Sequence, residues 1–97
     1  MIKRTPMRDR VRVQFILPET RVTSEEVCVV GEFNNWREGA TRLRRQEDGT
    51  RSASVTLAAG QRYAFSYVGD DGRWYDEETA DSAEPDGRGG WNSVLRT

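Results

Sequence analysis

An all-β chain, folded as an immunoglobulin-like antiparallel β-sandwich of about seven short strands, is what this sequence predicts. Three observations carry the expectation. Short segments alternate apolar and polar residues with a period of two; turn signals built on Gly, Asp and Pro recur every eight to twelve residues or so; and no window sustains apolar residues at i, i+3, i+4 and i+7 as a long helix requires. Only 35% of the 97 residues are apolar while 32% are charged, so the core must be thin, which suits two facing layers of half-buried strands.

Residues 1–9, with Lys3, Arg4, Pro6 and Arg8, lack periodicity and read as a flexible N-terminal tail ahead of a single domain over residues 10–97. Arg10 to Leu17 sets Val11, Val13, Phe15 and Leu17 against Arg12, Gln14 and Ile16, a half-buried strand that Pro18 ends because it has no N–H to donate. After a polar loop, Glu26 to Gly31 carries β-branched residues on both faces. Ala40 to Gln46 is a third strand candidate around Leu43. The following Asp48-Gly49 pair suits a tight hairpin, returned by Thr50 to Leu57 with Ala53, Val55 and Leu57 inward. Gln61 to Gly69 places Tyr63, Phe65 and Tyr67 on one face and Ala64, Ser66 and Val68 on the other, the strongest core strand of the set. Asp71-Gly72 turns the chain into Arg73-Trp74-Tyr75, residues 76–90 show no pattern, and Trp91 to Arg96 reads as the last strand.

The composition removes whole classes of chemistry. There is no histidine, so Ser/His/Asp and Cys/His arrangements are excluded, and a single cysteine cannot supply a zinc site. No cofactor is expected. Fifteen Lys and Arg against sixteen Asp and Glu leave a net charge of -1, which offers no long-range field for nucleic acid or an anionic membrane. A lone Cys28 and a start without an apolar leader segment point to the cytoplasm. Glu47, Asp48, Asp70 and Asp71 read as turn formers and 76–86 as a solvated loop, so the chain is expected not to be an enzyme. Arg42, Arg44 and Arg45 are split across two strand faces beside neutralising acids and read as solvated surface.

The tryptophans remain. Trp36 follows a Gly/Asn-rich turn after an apolar strand and Trp74 follows an Asp-Gly turn; in a sandwich such positions can converge on one edge of the domain. Two indoles side by side make a platform the size of a sugar ring, each face adding about 1 kcal/mol beyond area burial. For Trp91, exposure and inward capping of the core are equally open.

Gly31-Glu32-Phe33-Asn34-Asn35-Trp36, then Asp48-Gly49, Gly60 with Tyr63 and Phe65, Asp71-Gly72-Arg73-Trp74, and Gly90-Trp91-Asn92-Ser93-Val94 together resemble carbohydrate-binding module family 48. That family includes the early-set domain ahead of the catalytic barrel in isoamylases and glycogen branching enzymes, and the glycogen-binding domain of the AMP-activated kinase β subunit. The resemblance implies a non-catalytic module for α-1,4-glucan or maltooligosaccharide, associated with glycoside hydrolase family 13 enzymes. Trp36 and Trp74 match the stacking residues and Asn92 the hydrogen-bonding asparagine, while Asn35 and Arg73, beside the two indoles, complete the expected set. The lysine that family binders carry on the outward face of the Tyr-x-Phe strand is replaced by Ala64, with Arg62 and Arg73 as the alternative donors. That replacement keeps a second reading open, a docking module that associates with a separate glycogen- or starch-metabolising enzyme.

Overall fold

The computed structural model describes residues 1–97 and resolves the alternation into nine strands: β1 Ile2–Pro6, β2 Arg10–Leu17, β3 Val27–Gly31, β4 Arg44–Arg45, β5 Arg51–Ala58, β6 Arg62–Gly69, β7 Trp74–Tyr75, β8 Ser82–Pro85 and β9 Trp91–Arg96. Two antiparallel sheets result. The first runs β1-β2-β5-β4; the second runs β3-β6-β9-β8, with β7 also paired to β6. The only other regular elements are two single 3₁₀ turns, Glu19–Arg21 and Glu32–Asn34.

The core lies between the sheets and follows the period-two pattern. Val11, Val13, Phe15 and Leu17 of β2 face Val27 and Val29 of β3, Phe65 and Tyr67 of β6 and Leu95 of β9, all buried. Its centre is aromatic: the Phe15 ring packs 5.1 Å from Phe65, 5.7 Å from Phe33 and edge-on at 6.2 Å from Tyr67. Offset and edge-to-face contacts of this kind add to the area term.

Three segments depart from the sequence expectation. Residues 2–6, expected within a flexible tail, form edge strand β1, paired from Ile2↔Phe15 to Pro6↔Val11. Only Ile2 of these is partly buried, so backbone pairing rather than side-chain burial creates the strand, and pairing leaves no mark on the apolar pattern. The Ala40–Gln46 candidate is split between the sheets. The Val29 amide donates to Thr41 O and the Leu43 amide to Val27 O, both at 2.9 Å, before Arg44–Arg45 crosses over to pair with β5. Leu43 points inward at that crossing, which makes this segment the closing wall of the sandwich. Within the patternless stretch 76–90, Ser82–Pro85 forms edge strand β8 beside β9.

The stretch before β8 is pinned from below. Glu77 is buried, accepts the Tyr67 hydroxyl at 2.7 Å and the Thr79 amide at 2.9 Å, and pairs with the amino terminus at 2.9 Å, while its own amide donates to the Ser93 hydroxyl. Burial by itself raises its carboxyl pKa, but the ammonium, the Thr79 amide and hydroxyl and the Tyr67 hydroxyl outweigh it and hold the group below its ordinary value of 4.5. Burial, reinforced by Glu77, pushes the Tyr67 phenol up and favours its protonated, hydrogen-bond-donating form.

Candidate functional site

The residues Gly31 to Trp36 fold as they do because each has a separate task. Gly31 sits so close to β6 that a Cβ there would lie 2.7 Å from Ala64 O and 2.8 Å from Phe65 Cβ. Glu32 accepts the Ala64 amide at 2.6 Å, and Phe33 turns inward between Phe15 and Tyr63. Asn34 ties the turn together: its Oδ1 accepts the Gly31 amide at 2.9 Å and its Nδ2 donates to Val29 O at 3.0 Å and to the Thr41 hydroxyl at 3.2 Å. Asn35 and Trp36 then both take φ 57°, a left-handed conformation that costs a residue with a Cβ on the order of 1 to 2 kcal/mol. The turn thereby throws the Trp36 indole outward, away from the core its neighbour Phe33 enters.

Trp74 arrives from the other edge of β6. It is opposite Val68 in the two-residue strand β7, whose hairpin is fastened by Gly69 N–H donating to Arg73 O at 2.7 Å and by the Ser24 hydroxyl donating to Asp71 Oδ1 at 2.6 Å. That hydroxyl, followed by the Arg73 amide and guanidinium, holds the Asp71 carboxyl below its ordinary range. The Ser24 hydroxyl also lies 2.7 Å from the Tyr75 phenol, and with Thr23 it lowers the phenol's pKa.

Strand register explains why these elements meet. Opposed residues in an antiparallel pair share a face, so Val30↔Ser66, Cys28↔Val68, Val68↔Trp74, Ala64↔Val94 and Glu84↔Asn92 all lie on the outward side of the second sheet. Along one edge of β6, β9 pairs with Arg62–Phe65 and β7 with Tyr67–Val68, so the start of β9 must leave the ladder where β7 begins. Ser66 is the residue between them, and its hydroxyl donates to Tyr75 O at 3.1 Å. Trp91 and Asn92, at the departing end of β9, therefore come together with Trp74 near Ser66.

The result is a cleft of about 540 Å³ lined by Trp36, Trp74, Trp91, Asn92 and Ser66, with Glu38, Asp86 and Arg88 on its rim. The three indoles are 39%, 56% and 67% exposed in that order, the largest exposed aromatic surfaces of the molecule. Trp36, Trp74 and Asn92 are thus brought together, on a sheet face rather than at a domain edge. Asn35 and Arg73 are not among the lining residues. Asn35 is used as a left-handed corner, and the Arg73 guanidinium is held by the Thr23 hydroxyl at 3.0 Å and by Asp71 at 3.3 Å. Arg62 is drawn aside by Glu84.

Glu38, Ser66, Asp86, Arg88 and Trp91 line the cleft without being among the expected site residues, and Trp91 takes the exposed one of the two alternatives left open for it. For Trp91 the signal existed, an aromatic opening a strand beside a Gly-rich loop; for Arg88 none did, because its place depends on how that loop folds. Asp86 shapes it, accepting the Arg88 amide at 2.7 Å and the Gly90 amide at 3.0 Å. Those two amides hold the Asp86 carboxyl below its ordinary range. The Arg88 guanidinium has no ion-pair partner within 4 Å.

Two antiparallel sheets with an open aromatic cleft on one outer face define an immunoglobulin-like β-sandwich of the kind used as a module. The sequence profile of carbohydrate-binding module 48 (isoamylase N-terminal domain) matches residues 21–85, and the chain belongs to this family. No curated protein matches it.

Proposed function

We propose that the domain is a non-catalytic α-glucan-binding module in which a run of α-1,4-linked glucose units lies across Trp36, Trp74 and Trp91. The observation that supports this reading is the cleft itself, with three exposed indoles around the hydrogen-bonding side chain of Asn92. A pyranose ring presents apolar C–H faces to stack and hydroxyls at its edge to bond, which is the pattern of the lining. Arg88 takes the part of the donor that Ala64 lacks, since its guanidinium is unpaired at the rim. The module is read as non-catalytic: the Arg88 and Gly90 amides favour the ionised form of Asp86, the opposite of what a general acid needs. The lone Cys28 is consistent with a reducing cytoplasmic setting.

Titration of maltoheptaose against intrinsic tryptophan fluorescence tests the proposal. The expected result is saturable binding in the micromolar to millimolar range, lowered at least tenfold by Trp36→Ala combined with Trp74→Ala, and no glucan turnover. No spectral response at millimolar sugar would reject it.

A further inference from the structure

The outward face of the first sheet is chemically the reverse of the cleft. Register places Thr5, Arg12 and Thr56 in one row across it, Lys3, Gln14 and Ser54 in the next, and Ile16, Ser52 and Arg44 in a third, with Arg10 beside Ala58 at one end. Lys3, Arg10, Arg12 and Arg44 are all exposed. The other residues on the face are Ser, Thr, Gln, Ala, Ile and Met, so it holds no carboxylate; Asp9, Glu19, Glu47 and Asp48 sit only at its two ends. The molecule makes seven ion pairs, through the amino terminus and Arg4, Arg21, Arg42, Arg62 and Arg73, and none involves these four cations. Beside β4 the face opens into a polar groove of about 740 Å³ whose lining includes Thr41, Arg42, Arg44, Gln46, Ser52 and Ser54.

Four unpaired cations on one side of a chain whose net charge is -1 is a local field without internal compensation. We propose that this face docks the acidic surface of a partner protein, whose carboxylates meet the four cations while the Ser and Thr hydroxyls complete the hydrogen bonds. Shape and chemistry favour a protein over the other polyanions. The face has no aromatic side chain on which bases could stack, and no helix to enter a groove. Half-buried Ile16 and, opposite it at the edge, Met1 are its only sizeable apolar side chains, too few to insert into a bilayer. The proposal does not rest on glucan binding, because no residue of the face lines the tryptophan cleft.

The experiment compares the intact chain's affinity for poly-L-glutamate, duplex DNA and phosphatidylserine-containing vesicles at matched charge concentration and low salt. Poly-L-glutamate should bind best, and its binding should fall steeply with added salt. Arg12→Glu with Arg44→Glu should weaken it at least tenfold while leaving maltoheptaose affinity unchanged. Arg37→Glu with Arg96→Glu, the same change in net charge off this face, should alter it less than threefold. Should the first pair fail to fold by circular dichroism, Lys3→Gln with Arg12→Gln provides the same test without charge reversal, with a loss of at least fourfold expected. Absence of poly-L-glutamate binding, equal loss in both charge-reversal pairs, an unchanged affinity in the Gln pair, or tighter binding of DNA or vesicles would overturn the proposal.

Discussion

The two outer faces of the sandwich are built by the same rule and end with opposite character. Both consist of the residues that alternation turns away from the core. On the first sheet β2 and β5 pair along all eight residues with β1 beside them, so the outward side chains form an unbroken carpet of hydroxyls and cations. On the second sheet the ladder is interrupted at Ser66, where β9 leaves β6 and β7 replaces it, and the loops around that break carry the indoles. Relief comes from the interruption rather than from the strand sequence. A consequence is that Val30, Ala64, Val68 and Val94 are buried although they face away from the core, whereas Arg12 and Thr56 at comparable positions are open to water.

The strongest way to break the comparison is to disturb the approach of the 31–36 turn to β6. Gly31→Ala places a Cβ 2.7 Å from a backbone oxygen, and overpacking of this kind costs about 3 kcal/mol, read as a lowered denaturation midpoint with loss of sugar retention. Ser54→Ala on the opposite face should stay within about 0.5 kcal/mol of the parent. Equal effects from the two would mean that the turn has room the structure does not show.

Glu77→Gln comes next, because it removes the charged acceptor that fixes the segment between β7 and β8. A loss of about 2 kcal/mol at neutral pH is expected in urea denaturation. The pH dependence has a definite sign. The Glu77 carboxyl lies below its ordinary 4.5 in the folded protein, so its contribution is complete above that value and is lost as acid carries the pH down through the folded pKa. The variant should therefore lose stability less steeply below about pH 4.5 than the parent. Parallel acid limbs for the two proteins would assign the stabilisation elsewhere.

Smaller effects sharpen the picture of the cleft. Trp91→Ala should weaken maltoheptaose by about fivefold, close to 1 kcal/mol, with a smaller change for maltotriose, since a third plate matters only to a chain long enough to reach it. Arg88→Ala should cost two- to fourfold in affinity without changing stability, an exposed donor adding on the order of 0.5 kcal/mol. Isothermal titration with both sugars checks both variants. An identical loss for short and long sugars in Trp91→Ala would remove that residue from the extended site.

Much of the fold was readable because period-two alternation is a local signal. Arg10–Leu17 appears in the structure as the pattern draws it, and Tyr63, Phe65 and Tyr67 face the core as expected, although the opposite face of that strand is covered as well. The strands that were missed, Ile2–Pro6 and Ser82–Pro85, lie at sheet edges and are held by backbone hydrogen bonds, to which side-chain identity is nearly indifferent. At the cleft, Trp36 and Trp74 stood out as aromatics in turn-flanking positions, and Asn92 followed only from the family resemblance. Asn35 and Arg73 looked equally eligible, and their exclusion depends on a left-handed corner and on the Thr23 and Asp71 contacts, features made by residues distant in the chain.

By itself the sequence determined the class of fold, the aromatic core and the family, because hydrophobic periodicity, turn chemistry and the short Gly, Asn and Trp signatures act over a few neighbouring residues. Only the tertiary structure decided that three indoles rather than two share one cleft, that Arg88 joins them, and that four unpaired cations gather on the opposite sheet. Convergence of that kind is fixed by strand register and by where a ladder breaks, and both are set between segments tens of residues apart.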